Sequence, residues 1–262
     1  MLSYQHAYHA GNLADVHKHA LLGWMLGYLT RKDKPLSYLE THAGRGRYDL
    51  SGAEATKTGE AAAGIGRAAA QFAPEHPYSR ALAAVRAAHG STAYPGSPLL
   101  AAQLLRPEDT LHLAELHPAE HAALAETMAG DGRIHVHRQD GIAMAQSLCP
   151  PTPRRGLLLC DPSWEVKRDY DDIPKALLQL HRKWNVGVLV LWYPILSEQP
   201  HRPMLRTLES ALPDALRHEV RFPPVRPGHR MEGSGLFVVN PPYGLAEAAK
   251  DVARAVATAS GG

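Results

Sequence analysis

The chain has 262 residues, 45% of them hydrophobic and 21% charged, with a formal net charge of +2. These values suit a globular α/β domain carrying an insertion and exclude bulk disorder, collagen-like repeats and small disulfide-built scaffolds. The longest apolar run, at about 186–196, is too short to span a bilayer. The opening MLSYQHAYHAGN lacks the apolar stretch of a signal peptide, and Cys149 and Cys160 form no CxxC, so a cytoplasmic protein with no membrane partner is expected.

A helix is expected over Leu13–Thr30. Strands are expected at Ser37–Glu40, Thr110–Glu115, Ile134–Arg138, Gly156–Cys160 and Gly187–Trp192. GLLLC and GVLVLW are short continuous apolar runs, as in strands covered on both faces. Helical patterns at Pro118–Ala129, Ile142–Ser147 and Ile173–Trp184 lie between them. The alternation predicts a Rossmann-like, mostly parallel sheet. Between Tyr48 and Leu105 the sequence turns Ala-rich, with no convincing strand. Residues 51–96 are expected to form a helical insertion in a domain made of 1–50 and 97–262. Ser97 would cap a returning helix whose first residue is Pro98. Arg217–Phe222 and Gly235–Val239 are expected as a closing antiparallel hairpin around a loop rich in Pro, Arg and Gly.

Four motifs fall at the carboxyl ends of strands, where open α/β sheets bind ligands. In ETHAGRGRY, Gly44 and Gly46 let the backbone turn sharply beside a ligand, or simply turn. Glu115, in LHLAELHP, can accept from ribose hydroxyls or be an ordinary surface or capping residue. Asp140-Gly141 can accept from an adenine amine, although DG is also a common turn. DPSW at 161–164 is the sharpest signal. Asp161 and the carbonyl of Pro162 offer acceptors to an exocyclic amine, and Trp164 offers a stacking face for an extruded base.

NPPY at 240–243 fits an amine-methylation pattern better than DPSW, yet it follows the antiparallel strand and so should point away from the ligand crevice. The histidines near the start, His6, His9, His17 and His19, lack the spacing and thiolates of a zinc site, so no metal is expected. Tyr4, His6 and Lys18 are candidate RNA contacts there. Arg226 and Arg230, in the tail loop, are candidate phosphate contacts. Twenty of the 28 basic residues are Arg; this suits phosphate recognition, though a GC-rich genome gives the same bias.

Glu40–Gly46 resembles the D-x-F-x-G-x-G motif of S-adenosylmethionine-dependent amine methyltransferases, with Glu for Asp and His for Phe. MLSYxHxxHAGNxADxxKH, THAGRGRY, YPGSPLL, LHLAELHP, LWYP and GSGLFVVNPP extend the likeness from residue 1 to about 243. The chain is thereby similar to the bacterial 23S ribosomal RNA (adenine-N(6))-methyltransferase family, RlmJ. That resemblance implies an enzyme binding S-adenosyl-L-methionine and 23S ribosomal RNA and acting by base flipping; a monomer is expected. It implies cofactor contacts at His19, His42, Ser97, Glu115, Asp140, Gly141 and Asp161, the proton-accepting role at Asp161 and an RNA contact at Tyr4. The family's D-P-P-Y is D-P-S-W here, with Ser163 and Trp164. The competing readings are a DNA adenine-N(6) methyltransferase, a nicotinamide oxidoreductase, for which the third Gly of GxGxxG is missing, and a non-catalytic RNA-binding module.

Overall fold

The computed structural model describes residues 6–224, 228 and 230–261; Tyr4 and Arg226 lie outside them. The chain runs through α1 (Leu13–Leu29), β1 (Ser37–Glu40), β2 (Arg47–Asp49), α2 (Ala53–Thr58), α3 (Glu60–Ala63), α4 (Ile65–Ala68), α5 (Pro77–His89), β3 (Ala93–Pro95) and α6 (Ser97–Leu104). It continues through β4 (Thr110–Ala114), α7 (Pro118–Thr127), β5 (Ile134–His137), α8 (Gly141–Leu148), β6 (Gly156–Cys160), α9 (Asp169–Lys183), β7 (Val188–Leu196), α10 (His201–Ala211), β8 (Leu216–Arg221), β9 (Met231–Val239) and α11 (Leu245–Ser260).

Seven strands form one sheet in the order β5-β4-β1-β6-β7-β9-β8. The first five are parallel; β9 runs antiparallel to β7 and β8. Strand order reverses beside β1, which opens a crevice at the carboxyl ends of β1 and β6. The apolar runs are covered on both faces, as expected. Tyr38, Leu157, Leu159, Val188 and Val190 join one core with α1, α5, α6 and α11. Their neighbours Leu39, Leu158, Leu189 and Leu191 join the other, with α9 and α10. This is the period-two alternation of a pleated strand.

α1 starts where Asn12 accepts from the Asp15 N–H at 2.9 Å, and it is buried nearly all round. That explains why its sequence shows no clear polar stripe.

The structure departs from the sequence reading in several places. β2 and β3 form an antiparallel ribbon bracketing the Ala-rich segment, where no strand was expected. Each is only three residues long, and their partners are 46 positions apart for Tyr48 and Tyr94, so no local pattern marks them. The helices between them bury Ile65, Tyr78, Leu82 and Val85 in the main core. Gly96, not Ser97, precedes α6, and the Ser97 hydroxyl turns inward to donate to Glu40 Oε1. α9 begins four residues before the expected Ile173, where Asp169, Asp171 and Asp172 complement the helix N-terminus. β7 continues through Pro194 to Leu196, and β9 begins at Met231, each extension pairing with the other. α10 and α11 were not assigned from pattern.

NPPY lies where topology placed it. Val239 pairs with Leu189 near the start of β7, so Asn240 emerges at the amino ends of the parallel strands, opposite Asp161. Asn240 Nδ2 donates to the carbonyls of Asn185 (2.9 Å) and Gly187 (2.8 Å), while Tyr243 is 89% exposed. Asn240→Ala removes two hydrogen bonds at a left-handed position (φ 53°). It is expected to lower the unfolding free energy by about 1–3 kcal/mol, read by urea titration.

Candidate active site

A cavity of about 560 Å³ opens at the carboxyl ends of β1, β6 and β7. Its floor comes from the loop after β1. Gly44 adopts φ +62°, and a Cβ there would lie 2.7 Å from the Tyr48 hydroxyl, so only glycine fits without rearrangement. The Gly44 N–H donates to Glu115 Oε2 at 2.9 Å, and the His117 N–H donates to Glu115 Oε1 at 2.8 Å. Two backbone donors thus fix the carboxylate that ends β4. His42 lines the cavity beside them, its Nδ1 2.7 Å from Thr41 Oγ1. Burial lowers its pKa against the pull of Asp161 and Glu115.

The side wall comes from α1. Lys18 is 3% exposed, and its Nζ donates to Asp161 Oδ2 at 2.5 Å and pairs with Asp15 Oδ1 at 3.0 Å. Burial alone would lower its pKa, but the two carboxylates outweigh that and hold the ammonium well above the ordinary lysine value. Asp15 also accepts from the Gly11 N–H and meets His6 Nε2, each at 2.9 Å. Burial would raise its pKa, yet the charges of His6 and Lys18 hold it well below the usual carboxylate range.

One turn on, burial pushes His19 down to about 3, so its ring is neutral. Its Nδ1 lies 2.9 Å from the Tyr94 hydroxyl, while Nε2 is buried with no hydrogen-bond partner among the described residues. The opposite wall alternates along β7: Trp192, Pro194 and Leu196 line the cavity, and Tyr193 and Ile195 face the core.

A family model described as "RsmJ: Ribosomal RNA large subunit methyltransferase D, RlmJ" matches residues 33–261. The chain belongs to the RlmJ family. It is 38% identical to Ribosomal RNA large subunit methyltransferase J of Escherichia coli (strain K12), covering 96% of this chain and 91% of that one. It is 37% identical to the protein of the same name from Haemophilus influenzae, covering 96% and 92%. A crystal structure of a Legionella pneumophila protein superposes with a TM-score of 0.87 at 35% identity, covering 96% of this chain and 94% of that one. No helix among the described residues is long and apolar enough to cross a membrane.

Within this RlmJ-family site, His6, Lys18, His19, His42, Gly44, Ser97, Glu115, Asp161, Pro162, Trp164 and Arg230 all line the one cavity. Others stand apart. Gly46 faces α7 and accepts the Gly96 N–H through its carbonyl. Asp140 is exposed and caps α8, accepting the Ala143 N–H at 2.8 Å. Gly141 is buried, and a Cβ there would lie 1.8 Å from the Thr41 carbonyl oxygen. It lets α8 start tightly against the end of β1.

Three roles change. Lys18 is consumed by two carboxylates and does not offer itself to phosphate. Arg230 is exposed but pairs with Glu198 at 3.4 Å. Trp164, expected as an open stacking face, is 6% exposed, with Tyr170 4.6 Å from its ring. Asp15, Trp192, Pro194 and Met231 were missed as site residues. Asp15 had a readable signal, its i,i+3 spacing to Lys18; Trp192 and Pro194 had only the W-x-P-x-L alternation.

Behind the cavity, burial pushes the Glu40 carboxyl up to about 8, against hydrogen bonds from Ser97 and from Tyr38 (2.8 Å). The folded chain therefore keeps a proton there that the unfolded chain releases near its ordinary value of 4.5. Stability attached to this group is fully present below that value and is lost as pH rises toward 8. Glu40→Gln, which mimics the neutral acid, is expected to gain stability relative to wild type as pH rises from about 5 to 8. Urea unfolding at a series of pH values checks this.

Proposed function

We propose that this chain transfers the methyl group of S-adenosylmethionine to the exocyclic N6 amine of an adenine in 23S ribosomal RNA. The observation that carries this reading is Asp161: a carboxylate at the end of β6, followed by Pro162, inside the cavity and fixed by a buried lysine. The relatives' names supply the RNA class. An enzyme of ribosomal RNA works where ribosomes are assembled, in the cytoplasm.

The residues present fit the cofactor. Glu115 is preset to accept from ribose hydroxyls. Gly44 keeps the floor low, and His19 Nε2 is an orphaned buried polar atom beside the space. Ser97 and His42 complete the lining, whereas Asp140 and Gly141 lie outside it. When bound there, S-adenosylmethionine supplies an electrophilic methyl group.

The chain's own residues do the rest. Lys18 occupies Asp161 Oδ2, so Oδ1 is the oxygen offered to the amine. The Pro162 carbonyl takes the second amine proton as a hydrogen bond. Together they fix the plane and direction of a weak nucleophile, and positioning of this kind supplies most of the acceleration. An ion-paired carboxylate is a poor base in advance. It need only accept the proton once alkylation has made the amine acidic.

Calorimetry is expected to show S-adenosylmethionine binding in the micromolar range, about −6 to −8 kcal/mol. Asp161→Asn is expected to cut methyl transfer to unmodified 23S RNA by about 100-fold or more while lowering cofactor affinity far less. Near wild-type turnover in that variant would remove DPSW from the chemistry. If the tail loop touches phosphates, the Arg226→Ala, Arg230→Ala double variant flattens the salt dependence of RNA binding by about 1–2 units and leaves cofactor binding alone. An unchanged slope would place the RNA surface elsewhere.

A further inference from the structure

An enzyme that works on an extruded base needs an aromatic face beside its acceptors. Trp164, the residue in the motif position, gives little: it is 6% exposed, one side lies against Tyr170, and its Nε1–H donates to the Trp192 carbonyl at 3.2 Å. Trp192 differs. It is half-buried, lines the cavity from β7, and has Pro194 and Leu196 beyond it on the same face. The Lys18 ammonium that holds Asp161 also lies 5.4 Å from the centre of the Trp192 ring. Carboxylate and indole therefore face one space.

The indole is also held. Its Nε1–H donates to Ser234 Oγ at 2.9 Å. Ser234 Oγ is 2.9 Å from His17 Nδ1, and His17 Nε2 is 2.9 Å from His218 Nδ1. An indole nitrogen only donates, so the direction of the chain follows. Ser234 accepts from Trp192 and gives its proton to His17 Nδ1; His17 then carries its own proton on Nε2 and gives it to His218. The opposite direction would leave the buried Ser234 hydroxyl proton with no acceptor among the described residues, at a cost. Burial lowers the pKa of both imidazoles, in the direction this arrangement uses.

We propose that Trp192 is the face on which the extruded base stacks, and that Ser234 and His17 are positioning residues that hold its ring. This rests on the adenine-methylation reading above. The test is steady-state methyl transfer to an unmodified 23S RNA transcript, with S-adenosylmethionine affinity measured in parallel by calorimetry. Trp192→Leu is expected to lower kcat/KM for RNA by about 10- to 100-fold, with cofactor affinity within about twofold of wild type, and Trp192→Phe to recover most of the loss. Ser234→Ala should raise the RNA KM by about 3- to 10-fold with a smaller change in kcat, and Ser234→Thr should restore it. A purely structural role would instead lower cofactor affinity and the unfolding midpoint together. Wild-type kcat/KM in Trp192→Leu, or a larger loss in Trp164→Leu at intact cofactor affinity, would overturn the assignment. If the wild-type chain methylates no adenine of the transcript, the underlying reading fails first and takes this one with it.

Discussion

A buried ammonium ion dictates much of this molecule. Lys18 is removed from water, and an ion in that position persists only with charged partners in good geometry. Asp15 meets it from the same helix and Asp161 from the far side of the sheet crevice. Removing either carboxylate from such a cluster leaves a charge stranded, typically at a cost of about 3–5 kcal/mol. The ion triad thus ties the first helix to the loop after β6, and it presents Asp161 with one oxygen already occupied.

The residues on either side of Lys18 extend the same logic. Successive helical positions point about 100° apart, and His17, Lys18 and His19 use that divergence fully. His17 reaches Ser234 and His218 on β9 and β8, Lys18 reaches the β6 loop, and His19 reaches Tyr94 on the β2–β3 ribbon. Glu60 of α3 ties the insertion to the same region by accepting from Asn12 Nδ2 at 3.0 Å and meeting His9 Nδ1 at 3.0 Å. One turn of helix is thereby in register with three separate parts of the fold, which is why polar side chains crowd a helix that is otherwise core.

What was legible in the sequence is what depends on local pattern. β1 and β6 stand at the expected bounds, and the antiparallel sense of β9 was enough to set NPPY aside. What was not legible depends on partners distant in the chain. Three-residue strands such as RYD and AYP carry no periodicity. The strand expected to end at Trp192 continues through Pro194 because β9 pairs alongside it. Lys18 looked like a surface base because nothing near it in sequence reveals Asp161, 143 positions away. Trp164 looked open because the motif specifies an aromatic but not its backbone conformation; at φ 57° its ring turns toward the core.

The bonds that assemble the cavity wall span unusually long stretches of chain: 143 residues for Lys18–Asp161, 201 for His17–His218 and 217 for His17–Ser234. Contacts of such separation form late, because the entropy of closing large loops must be met before they contribute. During synthesis α1 emerges early, carrying a lysine and a histidine whose distant partners do not yet exist. Part of its surface can pack on α5 and α6 as these follow, but Lys18 waits for the loop after β6 and His17 for β8 and β9. The cavity wall beside Asp161 therefore has no partial form: its bonds close only once nearly all of this polypeptide has been made.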